Sequence, residues 1–253
     1  MRHRICGPIP RVLSQSPNGE SVDSPILYEG VGGGIHSLIY AIHARKHTPT
    51  TSVTVLERSL TPSYKIGEST LSPFGLWLKT LGIGPHILWR IFGPKDGLSF
   101  FYLTPGATTA ERDTSFFANG PPGDLVPTLQ VERKVSELLL TLIAQRAGVT
   151  VLHGMGVDID GTAATLCARG GVAKVKNVES GAESQIATQL VVDASGRFRR
   201  FAAKRARLRR FEGWNTDSFW GYFETTADED QIPFEHYMSC NTNHICLREG
   251  CIP

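Results

Sequence analysis

The run Val31-Gly32-Gly33-Gly34-Ile35-His36-Ser37, followed by Ser52-Val53-Thr54-Val55-Leu56-Glu57, decides the fold of this chain. It reads as a glycine turn, a helix, a second strand and a terminal acid, the opening of a dinucleotide-binding βαβ unit. Glycine alone takes positive φ freely, and a turn without side chains lets backbone amides approach a pyrophosphate at a helix N-terminus. The third position of the fingerprint is Ser37 rather than glycine.

Working outward, the segment Ile26 to Val31 stands where a buried first strand belongs, although Glu29 and Gly30 interrupt its apolar run. From Ile35 to His47 the residues Ile35, Leu38, Ile39 and Ile42 recur at helical spacing, with Lys46 and His47 in the last turn. Thr48-Pro49-Thr50 ends that helix, and the β-branched run at Val53 to Val55 gives the second strand. A carboxylate at the strand's end, Glu57, suits two ribose hydroxyls and repels a 2′-phosphate, which favours FAD or NAD over NADP. The plainer alternative is a surface ion pair of Glu57 with Arg58 or Arg45.

The chain has 253 residues and a formal net charge of +2, and no apolar run is long enough to span a bilayer. This is the composition of a globular protein without a membrane anchor, and the cytoplasm is the expected location. Five cysteines, Cys6, Cys167, Cys240, Cys246 and Cys251, are odd in number and lack paired short spacings, which predicts no disulfide framework. Residues 1–24 are rich in Arg, Pro and Ser and read as a disordered tail; Pro8, Pro10 and Pro17 argue against an amphipathic transit helix.

Downstream lie Tyr64-Lys65-Ile66-Gly67-Glu68-Ser69-Thr70-Leu71, Phe92-Gly93-Pro94-Lys95-Asp96-Gly97-Leu98-Ser99-Phe100, Leu129-Gln130-Val131-Glu132-Arg133 and Leu190-Val191-Val192-Asp193-Ala194-Ser195-Gly196-Arg197. In this order, after an acid-ended second strand, the four stretches resemble the flavin-dependent halogenases, relatives of the FAD monooxygenases. The likeness runs from about Ile26 to about Tyr222. It implies an α/β fold: a Rossmann-like FAD-binding domain of the aromatic-hydroxylase type, with a partial antiparallel β substrate domain. The expected division is a tail at 1–24, the FAD-binding domain at 25–212 and the start of the substrate domain at 213–253, truncated.

The resemblance further implies that FAD contacts Gly32, Gly33, Gly34, Ser37, Glu57, Arg58, Ile66, Gly67, Glu68, Ser69, Arg133, Val157, Asp193 and Gly196. Ile66 to Ser69 would be the strap joining flavin and halide sites; otherwise they are a turn in which Ser69 caps a helix at 71–81. Lys95 would be the lysine that holds hypohalous acid, made at reduced FAD from oxygen and chloride or bromide, and delivers halogen to an aromatic ring. A compact amine loses its proton readily when desolvated, and Phe92, Leu98, Phe100 and Phe101 are available to desolvate it. On spacing alone Lys95 is a turn residue beside Asp96. The implied partners are a flavin reductase and a small aromatic substrate, free or carrier-bound. The family's Trp-x-Trp-x-Ile-Pro motif meets Arg248-Glu249-Gly250-Cys251-Ile252-Pro253 here, without either tryptophan.

Two alternatives stay open: an FAD-dependent aromatic monooxygenase that does not need Lys95, and a non-catalytic or truncated flavin-binding fragment. Other features read more plainly. The helix at 133–147 carries Val135, Leu138, Leu139, Leu142 and Ile143 and is expected to pack them on the sheet, with Arg133 at its start facing an anion. The stretches 150–158, 172–178 and 189–193 read as a parallel strand, a small meander and a return to the main sheet. His43 and His47 lack a third metal ligand, and Cys240, His244, Cys246 and Cys251 lack zinc spacing. The basic run Arg197, Arg199, Arg200, Lys204, Arg205, Arg207, Arg209 and Arg210 is read as a surface helix, without a nucleic-acid-binding motif. Phe219 to Glu224 reads as a strand opening the substrate domain.

Overall fold

A computed structural model describes residues 26–95, 97–102, 118–119, 128–167, 170–205, 213, 220–221, 242–247 and 250–252. The amino-terminal tail, Phe219, Tyr222, Phe223, Glu224, Cys240, Arg207, Arg209 and Arg210 lie outside the described residues. In chain order the elements are β1 (Ile26–Val31), α1 (Ile35–His47), β2 (Ser52–Glu57), α2 (Ser72–Thr80), α3 (Pro85–Ile91), β3 (Gly93–Pro94), β4 (Gly97–Tyr102), β5 (Ala118–Asn119) and β6 (Leu129–Gln130). There follow α4 (Arg133–Arg146), β7 (Thr150–His153), β8 (Met155–Val157), α5 (Ile159–Thr165), β9 (Gly171–Asn177), β10 (Glu183–Thr188), β11 (Val191–Asp193), α6 (Arg200–Arg205), β12 (Thr242–Leu247) and β13 (Gly250–Ile252). The described residues divide between two compact units, one within Met1–Ser63 and Ser136–Thr216, the other within Tyr64–Val135 and Asp217–Pro253.

The first unit is built on a parallel sheet of order β11-β1-β2-β7 and an antiparallel sheet of order β10-β9-β8. The expected parallel strand, meander and return are therefore all present. The weak first strand does form, with a register shift between Ile26 and Tyr28. β2 hides both of its faces, with Val53, Val55 and Leu56 buried, as a central parallel strand requires. α1 turns Leu38, Ala41 and Ile42 inward; each large aliphatic buried there contributes roughly 1.5–3 kcal/mol.

Two expectations are corrected in detail. Ser69 does not cap the following helix: α2 starts at Ser72 after Leu71, and Ser69 instead makes an isolated antiparallel bridge with Gln130. The apolar arc of α4 is not its buried face. Ser136, Glu137, Leu140, Thr141 and Ala144 are buried, whereas Leu138 and Leu142 are 51% and 56% exposed. Gly34 at the start of α1 faces Glu137, and Gly148 just beyond α4 faces Arg45 near the end of α1, so the buried side of α4 is the one that carries Glu137.

The second unit carries α2, α3, the antiparallel pair β3-β6 and a sheet of order β13-β12-β4-β5, in which β12 runs parallel to β4. Its core includes Leu78, Leu88, Phe92, Leu129 and Val131, all at most 4% exposed. The strand register sets Cys246 opposite Cys251. Among the described residues no helix is long and apolar enough to cross a membrane.

Candidate functional site

In the first unit the carboxyl ends of the parallel strands meet at one edge. Val31 pairs with Leu56 and with Asp193, and Glu57 pairs with His153. Open parallel sheets bind ligands outside this edge, where the loops leave the strands. Gly32 leaves β1 at φ +111° with its amide donating to the Leu56 carbonyl at 2.8 Å, and a Cβ there would lie 2.6 Å from the Ala194 carbonyl oxygen. Gly33 donates its amide to Glu57 Oε2 at 2.5 Å, and a Cβ at Gly33 would lie 2.7 Å from the Glu57 Cβ. The other Glu57 oxygen accepts the Ser59 amide at 2.7 Å. Glu57 is thus fixed to the glycine turn.

The N-terminus of α1 has no side-chain cap and no acid in its first turn. Its amides and the helix dipole are suited to a phosphate. Ser37, 1% exposed, buries its hydroxyl without a hydrogen-bond partner among the described residues. A buried unsatisfied hydroxyl costs about 1 kcal/mol or more. Ser37→Ala is therefore expected to stabilise the protein by about 1 kcal/mol, read as a higher urea midpoint at unchanged slope; a lower midpoint would show that the hydroxyl is satisfied.

Asp193 ends β11 and holds the next turn. Its carboxylate accepts the Ser195 hydroxyl at 2.5 Å and the amides of Ser195, Phe201 and Ala202 at 3.1, 2.9 and 3.2 Å. Burial pushes its pKa up, but the Ser195 hydroxyl and these amides outweigh burial and hold it below the ordinary value. Stability from this group is present above the unfolded carboxyl pKa and is lost as pH falls through the lower folded one. Asp193→Asn should thus lower the thermal midpoint near neutrality, and the gap to wild type should shrink below about pH 4. A gap constant from pH 7 to 3 would refute the assignment. Gly196 opens the 3-10 turn Gly196–Phe198, Val157 pairs with Val175 in the antiparallel sheet, and Arg58 is exposed.

In the second unit the predicted strap is held along residues 129–131. Val131 donates to the Glu68 carbonyl at 2.7 Å and Thr70 donates to the Leu129 carbonyl at 3.0 Å. Arg133, at the first position of α4, donates to the Ile66 carbonyl at 2.8 Å. Gly67 sits at φ +101°, and a Cβ there would lie 2.9 Å from an Arg133 guanidinium nitrogen. With the strap's backbone tied on one side, Tyr64, Ile66 and Leu71 are at least half exposed.

Lys95 is 6% exposed, which overturns the exposed-turn reading. Its Nζ donates to the Thr70 carbonyl at 3.1 Å, just beyond the strap, and its amide donates to the Thr128 carbonyl at 2.9 Å. Burial lowers its pKa below the ordinary lysine value. Phe92 is buried as expected, while the side chains of Leu98, Phe100 and Phe101 lie outside the described set.

Two features escaped the sequence reading. Glu137, 2% exposed, places Oε1 3.9 Å from a Cβ built on Gly34. The Thr70 carbonyl that receives Lys95 is the other. The only signal for Glu137 was an acid four residues after Arg133, among leucines. The His43 and His47 rings lie 4.2 Å apart, and no cluster of three metal-binding side chains occurs among the described residues. The basic run begins as a short helix, α6, with Arg197 and Arg200 over the exposed Phe198 ring.

No protein-family model matches the chain. Over 241 residues it is 42% identical to the flavin-dependent halogenase malA of Malbranchea aurantiaca, covering 94% of this chain and 36% of that one. This chain is a relative of that flavin-dependent halogenase, matching its amino-terminal part. It spans about a third of the length of that curated relative. Solved halogenases share the fold at lower identity. A triple mutant of the brominase Bmp2 matches at TM-score 0.56 and 24% identity, over 70% of this chain and 40% of that one. The halogenase PltM, in complex with phloroglucinol and FAD, matches at TM-score 0.58 and 17% identity, over 74% and 37%. These likenesses support the mixed α/β flavoprotein fold expected from the halogenase resemblance.

Proposed function

We propose that this chain carries the dinucleotide-binding part of a halogenase that uses FADH2, oxygen and chloride or bromide on a small electron-rich aromatic substrate, free or carrier-bound. The observation that carries the proposal is Lys95, buried and donating to the Thr70 carbonyl at the end of the strap. In the first unit Gly32, Gly33, Gly34 and Ser37 would hold the pyrophosphate and Glu57 the ribose, with Arg58, Val157, Asp193 and Gly196 around them. In the second, Ile66 to Ser69 and Arg133 would line the flavin. The glycine turn that a Cβ would fill and the orphaned Ser37 hydroxyl both fit such a group.

Bound reduced FAD would supply the oxidising chemistry that turns oxygen and halide into electrophilic halogen. The chain's own contribution is to hold and aim that halogen. A neutral Lys95 amine either hydrogen-bonds hypohalous acid or exchanges an N–H for an N–halogen bond with release of water, then passes the halogen to the ring. Reduced flavin would come from a separate flavin reductase, in the cytoplasm. The domain division at 25–212 and 213–253 belongs to the same proposal.

The test is a reductase-coupled reaction of the FAD-reconstituted chain with phloroglucinol and bromide, analysed by mass spectrometry. A bromide-dependent brominated product is expected. A hydroxylated product indifferent to halide would replace the halogenase with a monooxygenase. Failure to retain FAD would remove the flavin reading.

A further inference from the structure

In the antiparallel pair of β12 and β13, Ile245 pairs with Ile252, Cys246 with Cys251 and Leu247 with Gly250, without a shift of register. Only Arg248 and Glu249 stand between Leu247 and Gly250 in the sequence. A two-residue connection closes on a hydrogen-bonded pair, and the next pair outward is of the non-hydrogen-bonded kind. Cys246 and Cys251 are that next pair. Residues opposed in this way share one face of the ladder, with Cα atoms about 4.5 Å apart, inside the roughly 4.4–6.8 Å that a disulfide spans. Spacing alone concealed the pair, because the two cysteines do not form a short motif and only the strand register opposes them.

We propose that Cys246 and Cys251 are a reversible dithiol, which hydrogen peroxide oxidises to a disulfide that staples β12 to β13. One thiolate attacks a peroxide oxygen: the O–O bond breaks, a sulfenic S–O bond forms, and the departing hydroxide takes up the thiol proton as water. The second thiolate attacks that sulfur: the S–S bond forms, the S–O bond breaks, and a second water leaves with the other thiol proton. Two thiols thus lose two electrons in all, and one peroxide is reduced to two waters. Exchange with a dithiol reductant restores both thiols, the reductant leaving as its own disulfide. Transient, redox-sensing bridges are the kind that occur in reducing compartments, which agrees with a cysteine set that supports no structural framework. The staple would fix the edge of the sheet in which β12 pairs with β4, the strand that begins at Gly97, just past Lys95 in the sequence. This inference rests on the register of β12 and β13 and not on FAD binding or halogenation.

The experiment treats the reduced 253-residue chain with stoichiometric hydrogen peroxide, blocks the remaining thiols with iodoacetamide and digests with trypsin. Cleavage after Arg248 parts the two cysteines, so the peptide from Glu249 to Pro253 stays joined to the peptide ending at Arg248 only through a disulfide. That linked pair is expected in the mass spectrum and should vanish on reduction. Its yield should fall at least about tenfold in Cys246→Ser and persist in Cys240→Ser, which removes the other thiol of the same tryptic peptide. Fragmentation of the linked wild-type peptides locates the bonded cysteine directly, so the result stands even if Cys246→Ser misfolds. In equilibrium with glutathione, the bridge should be favoured at least about tenfold more in the folded chain than in urea, because the register holds the thiols together. Four results would overturn the inference: a bridge from Cys251 to Cys240, a bridge between two chains, both thiols left free while Cys167 is oxidised, or equal glutathione equilibria in folded and unfolded chains.

Discussion

Lys95→Met is expected to lower halide-dependent turnover by at least about 10³-fold while FAD stays bound. Methionine keeps most of the stem's volume and loses the amine, so the change separates chemistry from packing. The 6% exposure of Lys95 and its bond to the Thr70 carbonyl fix the nitrogen beside the strap. In the proposed role Lys95 holds the transferred atom, and such a group has no substitute there. Product analysis with wild-type FAD content checks the result; turnover within threefold of wild type would remove Lys95 from the mechanism. The pH dependence has a definite sign. Burial lowers the lysine pKa in the folded protein, so between the folded and unfolded values the unfolded chain binds more protons. Stability therefore rises with pH through that window, and Lys95→Met should lack the rise. The neutral amine that the proposed role requires becomes populated over the same direction of pH, so turnover should climb toward the lowered pKa and level off at a pH below that of an ordinary lysine.

How far the fold could be read from residues depended on what each pattern reports. The βαβ opening was legible because its parts are local: glycines at a turn, apolar residues at helical spacing, a β-branched strand and an acid at its end. α1 and β2 fall where that reading put them. The strap and Lys95 were legible by resemblance alone, since their contacts join residues up to 67 positions apart in the chain. Short elements were lost. α3, α5 and β10 were not anticipated, because seven or fewer residues seldom complete a recognisable period. The face of α4 was read backwards for a different reason. Periodicity shows which side of a helix is apolar but not which side the fold turns inward, and here the inward side carries Ser136, Glu137, Leu140, Thr141 and Ala144. Asp193 was singled out by the resemblance but was not legible as the acceptor that anchors α6, because its partners at Phe201 and Ala202 are set by tertiary folding.

Gly32→Ala should weaken FAD binding at least about 100-fold and lower stability by about 2–5 kcal/mol, the sum of two separable effects. The first is conformational. At φ +111° an L side chain is strained, at roughly 1–2 kcal/mol for a left-handed backbone. The second is steric. The new Cβ would lie 2.6 Å from the Ala194 carbonyl oxygen and 3.2 Å from its carbon. Backbone cannot swing aside as a flexible side chain can, so β1 and the Asp193 to Ser195 turn must separate, and an overpacked contact of this kind costs about 1–3 kcal/mol. Separation also moves the Gly33 amide from Glu57 and opens the turn proposed to face the phosphate, which is why binding should suffer together with stability. Gly82→Ala isolates the first effect. Gly82 has φ +84° but nothing within 4 Å of its Cβ position, so this change should cost about 1 kcal/mol and leave FAD affinity intact. Flavin fluorescence titration and urea midpoints read both variants. Equal losses in the two would mean that backbone strain alone governs Gly32, and the packing of the Asp193 turn against the glycine turn would then have no part in holding the dinucleotide.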